Sequence, residues 1–548
     1  MKLQQVLIVL FLISLNLACN FQRTEVDLIV HNGQIYTMNV SNQVVEAMAI
    51  KDGKIVELGP ERQILNKYKA ENQIDLAKKH VYPGFIDAHC HFSGYGEVLQ
   101  DINLASATSW DETVQIIASN PVMNQVGWIK GKNWDQNNWP DKAYPNKSKL
   151  DELFPDTPVL LKRVDRHAAI VNQKALDLAG ITRETMVEGG EILIQDGELQ
   201  GVLIDNAVDL VEDIIPASRY EETLKKALMD AQRDCFAVGL TTVTDAGMDR
   251  REVEVIDSLQ QLGELKMRII GMLSDNEENM EYYLGTGPVL KDRFRVSSFK
   301  FYADGALGSR GACLLSAYSD MNGSKGLLLS NPDHFKLAAR RLYDAGFQMN
   351  THCIGDSANR LILDIYGEVL EGVNDKRWRI EHAQVVHKDD IPKFKEYSII
   401  PSIQPTHATS DMHMAEFRLG RNRIRRAYAY EELRQQNGMV ALGTDFPIEG
   451  ISPINTFYAA TVRKDANGLP ADGFLPENKL SRENALKGIT TWAAIAGFEE
   501  HTRGSLEPQK FADFVVVDRD LLTVPDAEML NVKVLYTVVN GEVVFKRE

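Results

Sequence analysis

Short apolar runs separated by tight-turn signals occupy both ends of the chain. Near the N-terminus, Asn32-Gly33 and Asp52-Gly53 each separate two apolar runs, and Asn540-Gly541 does the same near the C-terminus. Asn-Gly and Asp-Gly between such runs are typical of β-hairpins. Neither end has enough strands to bury a sheet face alone. We therefore predict that residues 25–80 and 503–548 combine into one small β-sandwich domain.

Residues 81–502 follow another pattern, in which extended apolar runs alternate with amphipathic helical segments. The predicted strands are Val126–Lys130, Val159–Val164, Thr241–Asp245, Arg268–Leu273, Ser297–Phe301, Gln348–Thr351, Arg379–His382, Ser398–Gln404 and Val440–Asp445. The predicted helices are Tyr220–Val238, Glu252–Leu262, Pro332–Ala345, Ser357–Val369 and Lys388–Glu396. Repeated strand-then-helix units predict a parallel sheet, and this length favours an α/β fold of the (β/α)8 TIM-barrel type. The stretch from about 101 to 218 has more elements than one such unit needs, so we expect an insertion that walls or caps the site.

One predicted strand runs into a pair of histidines. The sequence Pro83-Gly84-Phe85-Ile86-Asp87-Ala88 is followed by His89, Cys90 and His91. On an extended backbone, residues i and i+2 face the same side, so both imidazoles can reach one point. Two neutral imidazoles make half of a zinc-type site. A lone His-x-His is more often core or surface packing, so residues elsewhere must decide.

Polar residues of suitable types end four later predicted strands. Lys300, His352, His382 and Asp445 each lie at or near the C-terminal end of a run. In a barrel these ends meet at the face that carries the chemistry. A lone buried histidine is usually hydrogen-bonded packing, and a strand-end aspartate is often a helix cap. Six ligand-type residues at strand ends favour a divalent metal site instead.

The charge balance limits the partners. The net charge is −17 and the pI about 5.3, which argues against a nucleic-acid partner because phosphate binding needs a basic face. The sequence contains no Lys/Arg run that would indicate a polybasic membrane patch. We expect a small-molecule substrate, with a homo-oligomer left open.

The first 19 residues have the pattern of a bacterial secretory signal. Lys2 precedes an apolar run from Val6 to Leu15 that is too short to span a membrane comfortably, and Ala18-Cys19 follows. This end resembles a lipoprotein signal, in which Cys19 would be lipidated, although Asn16 replaces the usual aliphatic residue. We expect an exported protein that touches the membrane only through this N-terminal anchor, with simple cleavage and a periplasmic location as the alternative. Four scattered cysteines remain after Cys19, and we expect buried free thiols rather than a disulfide framework.

The motifs together resemble a known family. Pro83 to His91 resembles the opening motif of the amidohydrolase superfamily of metal-dependent hydrolases. Other motifs resemble its YtcJ-like branch (amidohydrolase family 3), which includes N-substituted formamide deformylases: Trp128–Gln136, Arg163–Ala169, Gly201–Ala207, Gly239–Gly247, Lys300–Arg310, Arg379–Gln384 and Gly443–Pro447. Two residues depart from the pattern. Arg166 stands where a small residue, often Gly, is expected, and Thr444 stands where Ser is common.

The resemblance implies a site for one or two divalent ions, zinc being the expected metal. His89, His91 and Asp445 would bind the more buried ion, and His352 and His382 the second. Lys300 would carry CO2 as a carbamate that bridges both ions, since an anionic oxygen donor suits two cations better than an ammonium does. The alternative is a one-metal site in which Lys300 is an ordinary lysine, paired with a carboxylate such as Asp304.

The reaction implied by the resemblance is hydrolysis of a non-peptide carbon–nitrogen bond of amide type, in an N-substituted formamide or N-acyl amine, by metal-activated hydroxide. Asp445 would take a proton from the water and pass it to the leaving nitrogen. His167 or His407 would stabilise the oxyanion, although a loop histidine is more often structural. The candidate substrate-binding residues are Trp134, Asp135 and Asp304, of which Trp134 is equally open to packing in the insertion.

Other functions compete with this hypothesis. Esterases, lactonases and deaminases use the same fold and the same activation of water by metal ions. Deamination of a purine-like ring is disfavoured because no His-x-x-Glu follows a predicted strand. A metal-retaining surface lipoprotein without turnover is a further alternative, against which the complete set of ligand-type residues argues.

Overall fold

A parallel barrel forms the centre of the molecule in the computed structural model, which describes residues 23–99, 101–119, 127–215 and 220–548. Its strands, in chain order, are β1 Phe85–Cys90, β2 Leu240–Met248, β3 Arg268–Ser274, β4 Phe294–Tyr302, β5 Gln348–Cys353, β6 Arg379–His382, β7 Ile400–Ile403 and β8 Ala441–Leu442. Each pairs in parallel with the next. The predicted eight-stranded barrel is therefore confirmed.

Helices surround this barrel and bury their apolar faces against it. They are Phe92–Val98, Tyr220–Ala237, Arg250–Gln261, Glu277–Thr286, Pro332–Ala345, Asp356–Leu370, Ile391–Glu396, Pro405–Arg423, Tyr430–Asn437, Pro453–Val462, Arg482–Gly488 and Thr491–Ala496. Local signals set both ends of the helix Pro332–Ala345. The side chain of Asn331, just before this helix, accepts a hydrogen bond from the Asp333 N–H, Pro332 is the first helical residue, and Gly346 follows the last one in the left-handed conformation.

The barrel closes through a buried carboxylate rather than a regular ladder between β8 and β1. Asp87 on β1 accepts hydrogen bonds from Thr444 N (3.1 Å) and Thr444 Oγ1 (2.7 Å) just beyond β8. The Asp445 N–H donates to His89 O at 2.8 Å. A serine at position 444 would offer the same hydroxyl, so the Thr444 departure leaves this closure intact.

Strands from both chain ends form a β-sandwich beside the barrel. One sheet has the order Glu542–Lys546, Val534–Val539, Phe514–Val517, His80–Pro83, Gln34–Tyr36 and Val44–Val45. The other has the order Lys54–Gly59, Ala47–Lys51, Leu28–His31 and Asn72–Asp75. A two-stranded pair, Thr24–Glu25 with Tyr68–Lys69, and the helix Glu61–Lys67 complete this part. Apolar side chains of both sheets, including Val30, Ile50, Val81, Phe514 and Val538, share one core.

The chain segment that connects β1 to β2 forms a separate mixed sheet. Its strand order is Ile102–Asn103, Ile129–Trp134, Val159–Arg163, Ala168–Val171, Glu198–Asp205 and Gly190–Gln195. Its helices are Trp110–Ser119, Ser148–Leu153, Gln173–Ala179 and Asn206–Glu212. The strand predicted at Val126–Lys130 instead runs over Ile129–Trp134, and Val126 itself lies outside the described residues.

Two predictions concern cysteines and the chain start. Cys90, Cys235 and Cys353 are buried free thiols as predicted, whereas Cys313 is only half-buried. The signal segment 1–19 and the lipidation prediction for Cys19 lie outside the described residues. In the parts of the chain that the structure describes, no helix has the length and apolar character needed to cross a membrane.

Candidate metal centre

The C-terminal ends of the barrel strands bring the predicted ligands together. His89, Lys300, His352 and His382 lie on β1, β4, β5 and β6, close to where each strand ends, and Asp445 follows β8. His89, Lys300, His352 and His382 have at most 3% of their surface exposed, and Asp445 has 4%. Parallel strands point their C-terminal ends the same way, so residues more than 350 positions apart in the chain share one face.

His89, His91 and Asp445 form a first candidate ligand group. Asp445 Oδ1 lies 3.4 Å from His89 Nε2 and 3.2 Å from His91 Nε2. Their ligand atoms all lie within 4.8 Å of one another. Burial lowers the pKa of His91 to about 4, so its imidazole is neutral at pH 7 and has a lone pair to offer. Two imidazoles and one carboxylate facing one point make a donor set that fits a divalent cation.

His382, His407 and Asp445 form a second group on the other side of the same carboxylate. Their candidate ligand atoms also lie within 4.8 Å of one another, and His407 Nε2 lies 3.1 Å from Asp445 Oδ2. The predicted partner of His382, His352, is its neighbour, with the two ring centroids 4.4 Å apart. The buried His352 Nε2 has no hydrogen-bond partner, which fits a role as a ligand.

The pKa of His407 is shifted in the opposite direction from those of His352 and His382. Burial strongly lowers the pKa values of His352 and His382, which keeps both neutral. Burial also acts against the charge of His407, but its hydrogen bond with Asp445 and the nearby Glu449 outweigh that effect and raise its pKa to about 9. A protonated His407 donates its Nε2–H to Asp445 and has no lone pair for a metal there. We therefore assign His407 to proton donation rather than ligation.

Lys300 reaches into the same centre. Its Nζ lies 3.2 Å from His89 Nε2 and 4.6 Å from the centroid of the Tyr302 ring. Burial lowers the pKa of Lys300 to about 8. Asp304 is not its ion-pair partner, because that carboxylate instead accepts hydrogen bonds from three backbone N–H groups, those of Ile354, Gly355 and Cys313.

A polar cavity of about 640 Å³ opens onto this centre. The insertion supplies one wall, which includes His167 and Asp135. His167 Nδ1 lies 2.7 Å from Asp205 Oδ1, and its ring centroid is 5.1 Å from that of His352. Burial alone would lower the pKa of His167, but the hydrogen bond with Asp205 raises it. The contact with Asp205 thus holds the His167 ring beside His352.

Comparison with known proteins agrees with this geometry. The family model described as "Amidohydrolase family" matches residues 72–545. The protein YtcJ of Bacillus subtilis (strain 168) is 30% identical over 531 residues, which cover 94% of this chain and 99% of YtcJ. The chain belongs to the amidohydrolase family. The predicted resemblance is therefore confirmed.

Two further relatives of this amidohydrolase carry names that describe a reaction class. The N-substituted formamide deformylase of Arthrobacter pascens is 24% identical over 540 residues, which cover 95% of this chain and 98% of the deformylase. The crystal structure of an uncharacterized metal-dependent hydrolase from Pyrococcus furiosus superposes with a TM-score of 0.72 at 26% identity, covering 90% of this chain and 100% of that one. These comparisons support a hydrolase.

The amidohydrolase also uses outer partners that the sequence analysis missed. His89 Nδ1 lies 2.5 Å from Glu381 Oε2, and His382 Nδ1 lies 2.7 Å from Gln404 Oε1. Each contact engages Nδ1 and leaves Nε2 to face the centre. Burial would raise the pKa of Glu381, but Arg379 and His89 hold it far below its ordinary value. The alternation of Arg379 and Glu381 within one strand was the available signal, since i and i+2 share a face.

Three predicted residues have different surroundings. Trp134 packs in the insertion core and donates its Nε1–H to Leu161 O, so the structure places it in packing rather than at the substrate entrance. Asp135 does line the cavity, where it pairs with Arg163. Asp304 is fully buried and holds a loop through backbone N–H groups, so it is not among the residues that line the cavity.

Proposed function

We propose that this amidohydrolase hydrolyses a non-peptide carbon–nitrogen bond of amide type, in an N-substituted formamide or another N-acyl amine. The observation that carries the proposal is the convergence of three neutral imidazoles, Lys300 and Asp445 at the mouth of one polar cavity. The alignment with the Arthrobacter pascens deformylase over nearly the whole of both chains supports the choice of bond.

The donor set fits one or two divalent ions, with zinc as the expected metal. His89, His91 and Asp445 would hold one ion, and His352 and His382 a second. When bound, such an ion acidifies water and polarises a carbonyl oxygen. Because burial lowers the pKa of Lys300 to about 8, a useful fraction of its amine is neutral at pH 7. Neutral Nζ can add CO2 and release a proton, which would give the bridging carbamate.

Asp445 is the proton carrier in this proposal. Its buried carboxylate lies against His89, His91 and His407, whose hydrogen bonds outweigh burial and hold its pKa well below the ordinary range. It is therefore ionised when substrate arrives and can accept a proton from the attacking water. The same proton then passes to the leaving nitrogen, so that an amine rather than an amide anion departs.

Two further histidines, His407 and His167, line the cavity in which the substrate carbonyl would lie. His407 donates to Asp445 Oδ2 and so helps to orient this carboxylate. His167, held by its hydrogen bond with Asp205, is the candidate donor to the oxyanion. It lines the same cavity as His352, one of the candidate metal ligands.

Chelator-dependent hydrolysis tests the proposal. Purified protein is analysed for metal and assayed for amine release from a panel of N-formyl and N-acetyl amines, before and after chelation and after zinc is restored. Activity should vanish with chelation and return with zinc, and Asp445→Asn should lower kcat by a factor of at least about 10³. Glu500→Gln, which alters a carboxylate paired with Arg377 outside the cavity, is the matched control. Activity that survives metal removal would show that this is not a metal-dependent hydrolase.

A further inference from the structure

Arg166 places a cation in the cavity at the position where the family pattern expects a small residue. It lines the same cavity as His91 and Asp445 and directly precedes His167. A Cβ built on Gly94 would lie 3.2 Å from Arg166 Nη1, so the guanidinium lies beside the first turn of the helix that follows His91. The side chain remains partly exposed to the cavity.

This guanidinium has no carboxylate partner in the protein. Every Asp and Glu of the chain lies within residues 23–99, 101–119, 127–215 and 220–548. None of their oxygens forms an ion pair with Arg166 within 4.0 Å. The neighbouring cation Arg163, by contrast, pairs with both Asp135 and Asp165. A guanidinium lining a cavity without a partner is unusual, because burial of an unpaired charge is costly.

The carboxylates that attract Arg166 from beyond ion-pair distance already interact with other groups or with solvent. Glu212 is ion-paired with Lys162. Asp101 lies 3.8 Å from Lys130 Nζ, and Glu97 is exposed to solvent. Asp445, the fourth such carboxylate, is paired with His407 at 3.1 Å. Burial lowers the pKa of Arg166, which is the expected effect of removing water from a cation that lacks a close counter-charge. The positive charge is thus available to something that enters the cavity.

We infer that Arg166 binds a carboxylate of the substrate, so that the enzyme acts on amides carrying an anionic group, as N-acyl amino acids do. The inference rests on the proposed function for the reacting bond, and adds the charge of the substrate. A planar guanidinium matches a carboxylate through two parallel N–H···O bonds, which an ammonium or a neutral donor does not provide. Arg166 lies in the cavity wall beside His167, so it would orient the substrate while Asp445 performs the proton transfers.

Paired substrates test the inference by catalysis. N-acetylphenylalanine and N-acetylphenethylamine, and the corresponding N-formyl pair, differ only in a carboxylate. The wild type should prefer the acid of each pair by about tenfold to a hundredfold in kcat/KM. Arg166→Gln should remove this preference mainly by raising KM for the acid, and should change the neutral amide less than about threefold. Arg183→Gln, which alters an exposed arginine of the insertion paired with Glu198, should behave as wild type.

A second variant guards against a folding defect. Arg166 has a φ of 61°, the left-handed region that glycine adopts without strain, so Arg166→Gly should fold at least as well as wild type. It should lose the preference for the acid as fully as Arg166→Gln does. Equal losses on the acid and on the neutral amide, or a wild type without preference, would overturn the inference while leaving the hydrolase proposal standing.

Binding separates the two proposals if no amide is hydrolysed. Calorimetric titration of the full-length, metal-containing protein compares 3-phenylpropanoate with 3-phenylpropanamide. The acid should bind at least about tenfold more tightly to the wild type, and this advantage should disappear in Arg166→Gln. Binding of the acid to a metal ion would persist in the variant. Equal binding of both probes, binding of neither, or an advantage that the variant retains would contradict the role of Arg166.

Discussion

Replacement of Glu381 by glutamine tests the metal centre without any substrate. Glu381 is fully buried, and its Oε2 accepts hydrogen bonds from His89 Nδ1 at 2.5 Å and from Arg379 Nη2 at 3.1 Å, while its Oε1 forms an ion pair with Arg379 Nε at 2.7 Å. The glutamine keeps the shape but loses the charge. His89 then becomes a weaker ligand because its Nδ1–H no longer faces an anion.

The expected loss of zinc affinity for Glu381→Gln is tenfold to a hundredfold, or about 1.4–2.8 kcal/mol. The same change leaves the buried Arg379 without its counter-charge, which costs about 3–5 kcal/mol in other buried pairs. Arg379 Nη2 keeps its hydrogen bonds to Ala88 O and Ser402 Oγ. We therefore expect the metal-free protein to lose about 3 kcal/mol, the lower end of that range.

Zinc affinity is measured by competition with a chromophoric chelator, and the free energy of unfolding by urea titration in excess chelator. Glu500→Gln is the control, since its carboxylate also pairs with an arginine at 2.9 Å but does not line the cavity. It should leave zinc affinity unchanged. If folded Glu381→Gln binds zinc within about threefold of wild type, then His89 is not a ligand supported by Glu381, and the assignment of this centre fails.

Three other changes have predictable effects on stability. Arg268→Met should lower the free energy of unfolding in urea at pH 7 by about 3–5 kcal/mol. The cause is that the buried Asp513 loses the guanidinium whose Nε lies 2.6 Å from its Oδ2. The double variant with Asp513→Asn should recover part of that loss. Burial alone raises the pKa of Asp513, but Arg268 holds it below the ordinary value, so the pair stabilises the fold above about pH 4. The difference in unfolding free energy between wild type and Arg268→Met should therefore shrink as the pH falls below about 4, and a difference that stays constant would contradict this. Gly96→Ala should destabilise the protein by at least about 1–3 kcal/mol, because its Cβ would lie 2.2 Å from Ala227 O. Gly285→Ala, which has open space at the end of its helix, should be neutral or stabilising by up to about 1 kcal/mol. Equal effects of the two substitutions would refute the packing argument.

The alternation of apolar strand-like runs with amphipathic helical segments was sufficient to predict the barrel. The strand Arg379–His382 and the helix Pro332–Ala345 lie where the sequence places them, since the strand is buried throughout and the helix buries one face. The last barrel strand was predicted too long. It covers only Ala441–Leu442, since residues after it bend to meet Asp87, and a hydrogen bond between distant residues leaves no periodic signal.

The convergence of the candidate ligands was predictable from residue type and position, whereas the groups that orient them were not. His382 and Asp445 have φ values of 72° and 63°, in the left-handed region. The rule that alternate residues face opposite sides fails at such positions, because the local backbone turns the side chain to a new direction. The partners Gln404 and Asp205 come from other elements, so their contacts depend on the closed barrel and on the insertion.

The pairing of the two chain ends sets the order in which the protein can mature. The strand His80–Pro83 leads directly into β1, which carries His89, and its neighbour Phe514–Val517 lies more than 400 positions later. On a ribosome, synthesis must therefore be almost finished before the strand His80–Pro83, which leads into the first histidine ligand, can be paired on both sides. A truncated product that stops before Phe514 would keep every candidate metal ligand and still lack the partner strand of His80–Pro83, the segment that leads into the first of them.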